Sequence, residues 1–138
     1  MARANENILP REPDDPVAAF DPADVDRVAL KAFFSLAAEW QLSREEAITL
    51  LGQPSERTYY RWRDGKVASL PADTLERISV MLGIYKSTQI LLPDPARANA
   101  YMRRPNTSFG GASALEVMLQ GRVDNLYQVR RHLDAWRG

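Results

Sequence analysis

The sequence of 138 residues contains no cysteine and a single histidine, His132. The lack of cysteine excludes a disulfide framework and a thiolate metal site, and one histidine excludes a histidine-rich metal site. The sequence also lacks the run of about 18 apolar residues that a membrane-spanning helix needs, and the apolar core of a signal peptide. We therefore expect a protein of the cytoplasm that uses no metal and no cofactor.

Residue patterns that carry catalysis are missing as well. The sequence has no nucleophile elbow, no HExxH zinc motif and no Walker-type phosphate loop. The pair Gly110-Gly111 follows no predicted strand, so a tight turn is a better interpretation of it than a phosphate cradle. We expect a protein that acts by binding and is not an enzyme.

The net charge is zero, but the two signs are unevenly distributed. Residues 1–26 hold two basic and seven acidic side chains, a balance of −5, and the rest of the chain balances at +5. Three prolines and many charges predict that residues 1–20 form a mobile, solvated tail. The remaining body is modestly basic, and local positive charge is what a phosphate backbone meets.

Residues 42–66, LSREEAITLLGQPSERTYYRWRDGK, predict two short helices joined by a tight turn. Ser43 and Glu46 have the spacing of a capping box for the first helix, which Gly52 ends. Ser55 then caps the second helix. Two helices joined by a short turn that contains glycine are typical of a helix-turn-helix.

The second helix of this motif has one apolar and one polar face. Tyr59 and Trp62 are three residues apart and are expected to face the core. The polar face suits a DNA major groove, because arginine binds guanine through two hydrogen bonds and glutamate accepts one from cytosine. A merely solvated face is the plain alternative. The predicted DNA-binding residues are Ser55, Glu56, Arg57, Tyr60, Arg61 and Lys66.

Helical periodicity continues on both sides of the motif, and no alternation of period two is long enough for a strand. Asp21-Pro22 predicts the start of a first helix, with Asp24 and Asp26 favourably placed at its positive end. One broad face of this helix is predicted to pack, formed by Val25, Val28, Ala29, Ala32, Phe33, Leu36, Ala37 and Trp40.

The longest helix is predicted over residues 72–91 and is apolar on more than one side, so it should lie between the helix-turn-helix and the segment that follows. Its main stripe is predicted to be Leu75, Ile78, Leu82, Tyr85 and Gln89. After Pro93-Asp94-Pro95, the predicted elements are helices at 96–103, 114–120 and 124–137 and a structured loop at 103–113. The sequence therefore predicts an all-α protein, with a helix-turn-helix domain at 21–92 joined by the long helix to a small helical domain at 93–138.

Two segments, in this order, resemble the Xre/MbcA/ParS antitoxins. The first is the helix-turn-helix, densest at Arg57-Thr58 and Arg61-Trp62-Arg63. The second resembles the toxin-binding domain of the family and includes Arg104-Pro105-Asn106, Phe109-Gly110-Gly111 and the segment ALEVM at 114–118.

The resemblance implies an antitoxin of a type II toxin–antitoxin pair. Such antitoxins cover the active site of a cognate toxin, often a RES-type toxin that destroys NAD, and bind their own promoter. The implied partners are a RES-type toxin, operator DNA and a second copy in a homodimer. The predicted toxin-binding residues are Asn106, Phe109, Arg130, Trp136, Arg137 and Gly138. The alternative is a plain dimeric helix-turn-helix repressor with no toxin partner.

Overall fold

The computed structural model describes residues 22–138, which form seven α-helices and one 3₁₀ turn without any strand. The helices are α1 (Pro22–Glu39), α2 (Arg44–Leu50), α3 (Glu56–Arg63), α4 (Ala72–Leu91), α5 (Pro95–Tyr101), α6 (Ala114–Met118) and α7 (Val123–Arg137). The 3₁₀ turn at Thr107–Phe109 lies between α5 and α6. The predicted all-α fold is confirmed, and no helix in this part of the chain is long and apolar enough to cross a membrane. The expected mobile tail at 1–20 and the predicted cap Asp21 lie outside the described residues.

Two of the short helices end earlier than predicted. α5 ends at Tyr101 instead of residue 103, and α6 ends at Met118 instead of residue 120. In both places the chain forms tight turns that are closed by hydrogen bonds between residues three apart. Arg104 N donates to Tyr101 O at 3.1 Å, and Gly121 N donates to Met118 O at 3.2 Å. The extra residues therefore belong to these closing turns and not to the helices.

The helix-turn-helix forms through the predicted caps. Ser43 Oγ accepts from Glu46 N at 3.1 Å, and Glu46 Oε1 accepts from Ser43 N at 2.9 Å, which completes the capping box of α2. Ser55 Oγ accepts from the amide of Thr58 at 3.1 Å and so caps α3. Between the two helices, Gly52 has a φ of 97°, a conformation in which glycine avoids the steric penalty of a Cβ.

The buried face of α1 differs from the predicted stripe in the first turn. Phe33 and Trp40 are buried as predicted, and so is Leu30, which the predicted stripe did not include. Val25 and Val28 are 42% and 55% exposed, so their predicted place in the packed face was wrong. The packed face at this end of α1 is polar instead of apolar.

Asp26 is the residue that is buried in the first turns of α1. Its side chain is 7% exposed, and its Oδ2 accepts from Leu70 N at 2.9 Å, across 44 residues of chain. A buried backbone amide needs such an acceptor. Because Leu70 precedes α4, this bond fixes the start of α1 to the entrance of the long helix.

α4 packs against α1, α5 and α7, as its apolar character on several sides predicted. Ile78, Met81 and Ile84 are almost completely buried. The predicted stripe was wrong in part, because Leu75, Leu82, Tyr85 and Gln89 are only half-buried. Four polar residues are buried in the same helix: Thr74, Arg77, Ser87 and Thr88.

Hydrogen bonds explain why polar side chains lie in the buried part of α4. Thr74 Oγ1 donates to the carbonyl of Leu51 at 3.0 Å, at the end of α2. Thr88 Oγ1 donates to the carbonyl of Tyr85 at 2.8 Å within α4. Since each hydroxyl has a partner, its burial costs little. Apolar periodicity alone does not reveal such positions.

Gly83 allows a side chain of α7 to lie directly on α4. A Cβ at this position would overlap the guanidinium of Arg130 and lie 2.6 Å from its Cζ. Arg130 Nε is in turn 3.4 Å from Asp134 Oδ1, one turn further along α7. The absence of a side chain at Gly83 therefore permits this close packing of α7 on α4.

Replacing Asp26 by alanine should lower the free energy of unfolding by about 1–3 kcal/mol, because the buried amide of Leu70 loses its acceptor. Asp26→Asn is the matched variant, since its amide oxygen has a similar position and still accepts a hydrogen bond. We expect a smaller loss for asparagine than for alanine in urea unfolding. Equal losses would show that the charge of Asp26, and not the bond to Leu70, stabilises the fold.

Candidate functional site

α3 presents its polar face to solvent. Tyr59 and Trp62 are 7% and 8% exposed and pack into the core, as predicted. Arg57 and Arg61 are exposed on the opposite side. Within residues 22–138 neither guanidinium takes part in a hydrogen bond or an ion pair. Among these residues, no group therefore competes with a ligand of opposite charge for either guanidinium.

The other predicted residues of this face differ in what they contact. Ser55 caps α3, as described above, and its Oγ is also 3.0 Å from Thr58 Oγ1. Glu56 Oε1 lies 3.9 Å from Arg44 Nη1. Lys66 is exposed just beyond the end of α3. Ser55 therefore stabilises the start of α3 whether or not it also binds a ligand. Lys66, in contrast, is exposed to solvent.

Tyr60 is half-buried and contacts two arginines. Its hydroxyl accepts from Arg44 Nη1 at 3.1 Å, and its ring lies 4.7 Å from Arg63 Cζ. Arg44 is the first residue of α2 and was not among the predicted site residues, because it is 16 positions from Tyr60 and no local pattern connects them. Arg63 is the last residue of α3 and is exposed.

In the C-terminal part, Asn106 organises the loop between α5 and α6. Its Oδ1 accepts from Ser108 N at 2.8 Å, and its Nδ2 donates to the Tyr101 hydroxyl at 3.1 Å. The carbonyl of Asn106 accepts from Phe109 N at 3.0 Å and from Gly111 N at 2.9 Å. Both ends of the side-chain amide are therefore engaged inside the chain.

Four rings form an aromatic cluster on this side of the molecule: Tyr101, Phe109, His132 and Trp136. The ring of Phe109 is 4.9 Å from that of His132, and the ring of Tyr101 is 5.8 Å from that of Trp136. Burial raises the pKa of Tyr101. Trp136 is 48% exposed, which is unusual for so large an apolar side chain. Exposed aromatic side chains are enriched at protein interfaces.

The end of the chain is held against α4. Arg137 Nη1 donates to Ser87 Oγ at 3.2 Å, and Ser87 itself is fully buried. Gly138 is exposed, and its amide donates to Ala135 O at 3.2 Å. Arg130, by contrast, lies on Gly83 with about a third of its side chain exposed. Of these three predicted toxin-binding residues, Arg130 is the most enclosed.

Arg103 connects the two halves of the protein. It follows α5, and its Nη2 donates to the carbonyls of Gln41 at 2.8 Å and Trp40 at 3.1 Å, at the end of α1. The same Nη2 lies 3.1 Å from Glu46 Oε1 in the capping box of α2. Burial alone would raise the pKa of Glu46, but hydrogen bonds from Arg103 and Ser43 outweigh it and lower the pKa. The sequence identified Arg103 only as one of several arginines.

No group of three or more metal-ligating side chains occurs in the part of the chain that the structure describes.

Two family models match successive parts of the chain. The family model of the antitoxin Xre-like helix-turn-helix domain matches residues 19–83, which include the exposed face of α3. The model of the antitoxin Xre/MbcA/ParS C-terminal toxin-binding domain matches residues 87–138, which include the aromatic cluster. The uncharacterized protein y4oB of Sinorhizobium fredii (strain NBRC 101917 / NGR234) is 47% identical over 127 residues, 90% of this chain and 98% of that protein. The first match ends and the second begins within α4.

Replacing Arg103 by alanine should lower the free energy of unfolding by about 1–3 kcal/mol, because two backbone carbonyls and a carboxylate lose a charged donor. Arg104→Ala is the matched control, since Arg104 is the next residue and is exposed. We expect Arg104→Ala to unfold like the wild type in urea. Equal stability of the two variants would show that the Arg103 contacts contribute nothing.

The lowered pKa of Glu46 predicts how this contribution depends on pH. A carboxylate with a lowered folded-state pKa stabilises the fold above its unfolded pKa of about 4.3, and this stabilisation is lost as the pH falls through the folded value. The stability difference between wild type and Arg103→Ala should therefore be constant between about pH 6 and 8 and shrink below about pH 4. A difference that persists in acid would assign the stabilisation to the carbonyls of Trp40 and Gln41 alone.

Proposed function

The chain belongs to the Xre/MbcA/ParS antitoxins, and we propose that it silences a RES-type, NAD-degrading toxin and represses its own promoter. One observation carries this proposal: a single chain has an exposed arginine face in the matched helix-turn-helix and, in the matched toxin-binding domain, an aromatic cluster in which Trp136 is exposed. In this proposal residues 21–92 bind DNA and residues 93–138 bind the toxin. Both partners would be met in the cytoplasm, and the protein acts by binding, not by catalysis.

For DNA binding, the dimensions of α3 suit a major groove. An α-helix with its side chains is about 10–12 Å across, which fits the width of about 12 Å of the major groove in B-DNA. Arg57 and Arg61 are one turn apart on the exposed side, so both are placed to reach guanines on the floor of the groove. Glu56 is placed to accept from cytosine, and Lys66 to contact a phosphate. Ser55 supports the helix start as its cap.

A homodimer follows from the size of this interface. One short helix contacts only a few base pairs, and helix-turn-helix proteins gain specificity by placing two copies about 34–36 Å apart on two half-sites. We therefore propose that two copies bind a palindromic operator.

For toxin binding, we propose that the aromatic cluster forms the centre of the interface. Trp136 and Phe109 supply apolar area, and Asn106 acts by holding the backbone of Phe109 in place. Apolar and aromatic side chains surrounded by polar ones are typical of interface centres. Arg130, which packs on Gly83, is proposed as a partner for a carboxylate of the toxin.

The end of the chain is proposed to inhibit the toxin. Arg137 is held by one hydrogen bond to the neutral Ser87 hydroxyl, which a charged partner would readily replace. A cleft that holds a dinucleotide binds phosphates, and the planar guanidinium together with the exposed Gly138 suits such a cleft. Inhibition would then be by occupancy, without chemistry at the antitoxin.

Co-expression with the product of the neighbouring reading frame tests the proposal as a whole. We expect the neighbour to stop growth and deplete NAD when it is expressed alone, and to be recovered with the tagged antitoxin when both are expressed. A neighbour that is harmless and does not bind, while the protein still binds DNA specifically, would establish the plain repressor instead.

Replacing Arg57 or Arg61 by alanine should weaken binding to the preferred duplex by about 1–3 kcal/mol, because each loses a contact to a base. The duplex is one that the wild-type protein selects from a random pool, and binding is followed by fluorescence anisotropy. Arg97→Ala, at an exposed position of α5, removes the same charge outside the helix-turn-helix and should bind like the wild type. If the double variant of Arg57 and Arg61 binds normally, α3 is not the reading helix.

Deleting residues 137 and 138 should leave the protein folded but abolish protection against the toxin, because the inhibitory chain end is lost. Growth and NAD levels are measured in cells that express both proteins at matched amounts. Ser87→Ala is the matched control: it removes the intrachain partner of Arg137 but keeps Arg137 itself, so protection should persist. Full protection by the shortened protein would show that the chain end is not needed for inhibition and would assign inhibition to the aromatic cluster.

A further inference from the structure

We propose that Tyr60 is a positioning residue that holds Arg63 against a DNA phosphate and that it reads no base itself. This inference rests on the proposed DNA binding by α3. It assigns a phosphodiester contact to a residue, Arg63, outside the predicted site.

The first observation is that aromatic contacts with the core fix the position of the Tyr60 ring. It contacts the ring of Tyr59 edge to face at 5.3 Å, and Tyr59 contacts Phe34 of α1 at 5.7 Å. Tyr59 is buried in the core. Arg63 Cζ lies 4.7 Å from the centre of the Tyr60 ring, within the range of a cation–π contact. The guanidinium of Arg63 is thus placed over a ring that the core holds in position.

The second observation is that the Tyr60 hydroxyl is already engaged. It accepts from Arg44 Nη1 at 3.1 Å, and Arg44 also donates to Glu45 Oε2 at 2.9 Å and lies 3.9 Å from Glu56. Two carboxylates therefore compensate the charge of Arg44. The side chain of Arg44 therefore links α2 to α3, and its bond to the hydroxyl oxygen holds the end of the Tyr60 side chain at the start of α2.

Arg63 differs from Arg44 in its charge balance. No carboxylate in residues 22–138 forms an ion pair with Arg63, and its side chain is exposed. An uncompensated guanidinium attracts a phosphate more strongly than a compensated one. Because the ring restricts its rotamers before DNA arrives, less ordering remains to be done on binding.

The position of Arg63 indicates phosphate and not base. It is the last residue of α3, about 10 Å along the axis from Glu56. Residues at the start of a recognition helix contact base edges, whereas in homeodomains the C-terminal end of the reading helix contacts the backbone. Phosphate contacts fix the orientation of the protein on the duplex but carry no sequence information.

The experiment compares two duplexes of equal length, one selected by the wild-type protein from a random pool and one with the same bases shuffled. Dissociation constants are measured for the wild type, Arg63→Ala, Tyr60→Phe, Tyr60→Leu and the double variant of Tyr60→Leu with Arg63→Ala, across a series of KCl concentrations. Arg97→Ala serves as the control for a lost positive charge. Thermal unfolding of each variant checks that it is folded.

We expect Arg63→Ala to weaken binding to both duplexes by the same factor, about 3- to 10-fold, and to reduce the salt slope by about 1. Tyr60→Phe keeps the ring and should match the wild type in salt slope and in the ratio of the two affinities. In the Tyr60→Leu background, Arg63→Ala should cost clearly less than in the wild type, because the two residues act together.

Three results would overturn the inference. A reduced ratio between the two duplexes in Tyr60→Phe would show that the hydroxyl reads a base. An unchanged salt slope in Arg63→Ala would show that Arg63 does not contact a phosphate. Full additivity of Tyr60→Leu and Arg63→Ala would show that the two residues act independently. If Tyr60→Leu does not fold, the results for Arg63→Ala and Tyr60→Phe decide. A wild-type protein that selects no duplex from the random pool would instead refute the proposed DNA binding itself, so the two failures are distinguishable.

Discussion

The burial of α4 on several sides is the constraint on which the rest of the structure depends. Met81 and Ile84 are fully buried in one apolar core that also contains Leu50 of the helix-turn-helix and Leu133 of α7. A segment that began after α4 would leave the packed face of α7 without its main neighbour. The two matched domains are therefore distinct in sequence but share a core, and a stable fragment of the C-terminal part must include α4.

Polar contacts add a second connection between the same parts. Arg103 stands at the start of the loop that carries Phe109, yet its guanidinium is bound to the end of α1 and to Glu46 at the start of α2. Glu39 of α1 likewise accepts from Tyr85 of α4 at 2.9 Å and from Asn99 of α5 at 3.2 Å. The position of α2 relative to the proposed toxin surface is thus fixed by hydrogen bonds as well as by packing.

Features that depend on neighbours in sequence could be predicted from the sequence. The capping box at Ser43 and the turn at Gly52 use partners a few residues away, so their spacing reveals them. The core side of α3 followed from helical spacing alone. Asp26 and Arg103 could not be found in this way, because their partners lie 44 and about 60 residues away. The exposure of Val25 could not be predicted for the same reason. It depends on where α4 begins, and the sequence around α1 does not reveal that position.

The basic face of α3 also arises from the fold and not from composition. The chain has as many acidic as basic side chains, and most of its arginines look equivalent in sequence. In the structure, Arg44 and Arg103 are paired with carboxylates, and Arg77 donates to Asp73 at 2.8 Å. Arg57 and Arg61 have no such partner within residues 22–138. Arg57 and Arg61 therefore keep their charge on one side of α3, so a chain of zero net charge presents a local cationic surface there, of the kind that phosphates bind.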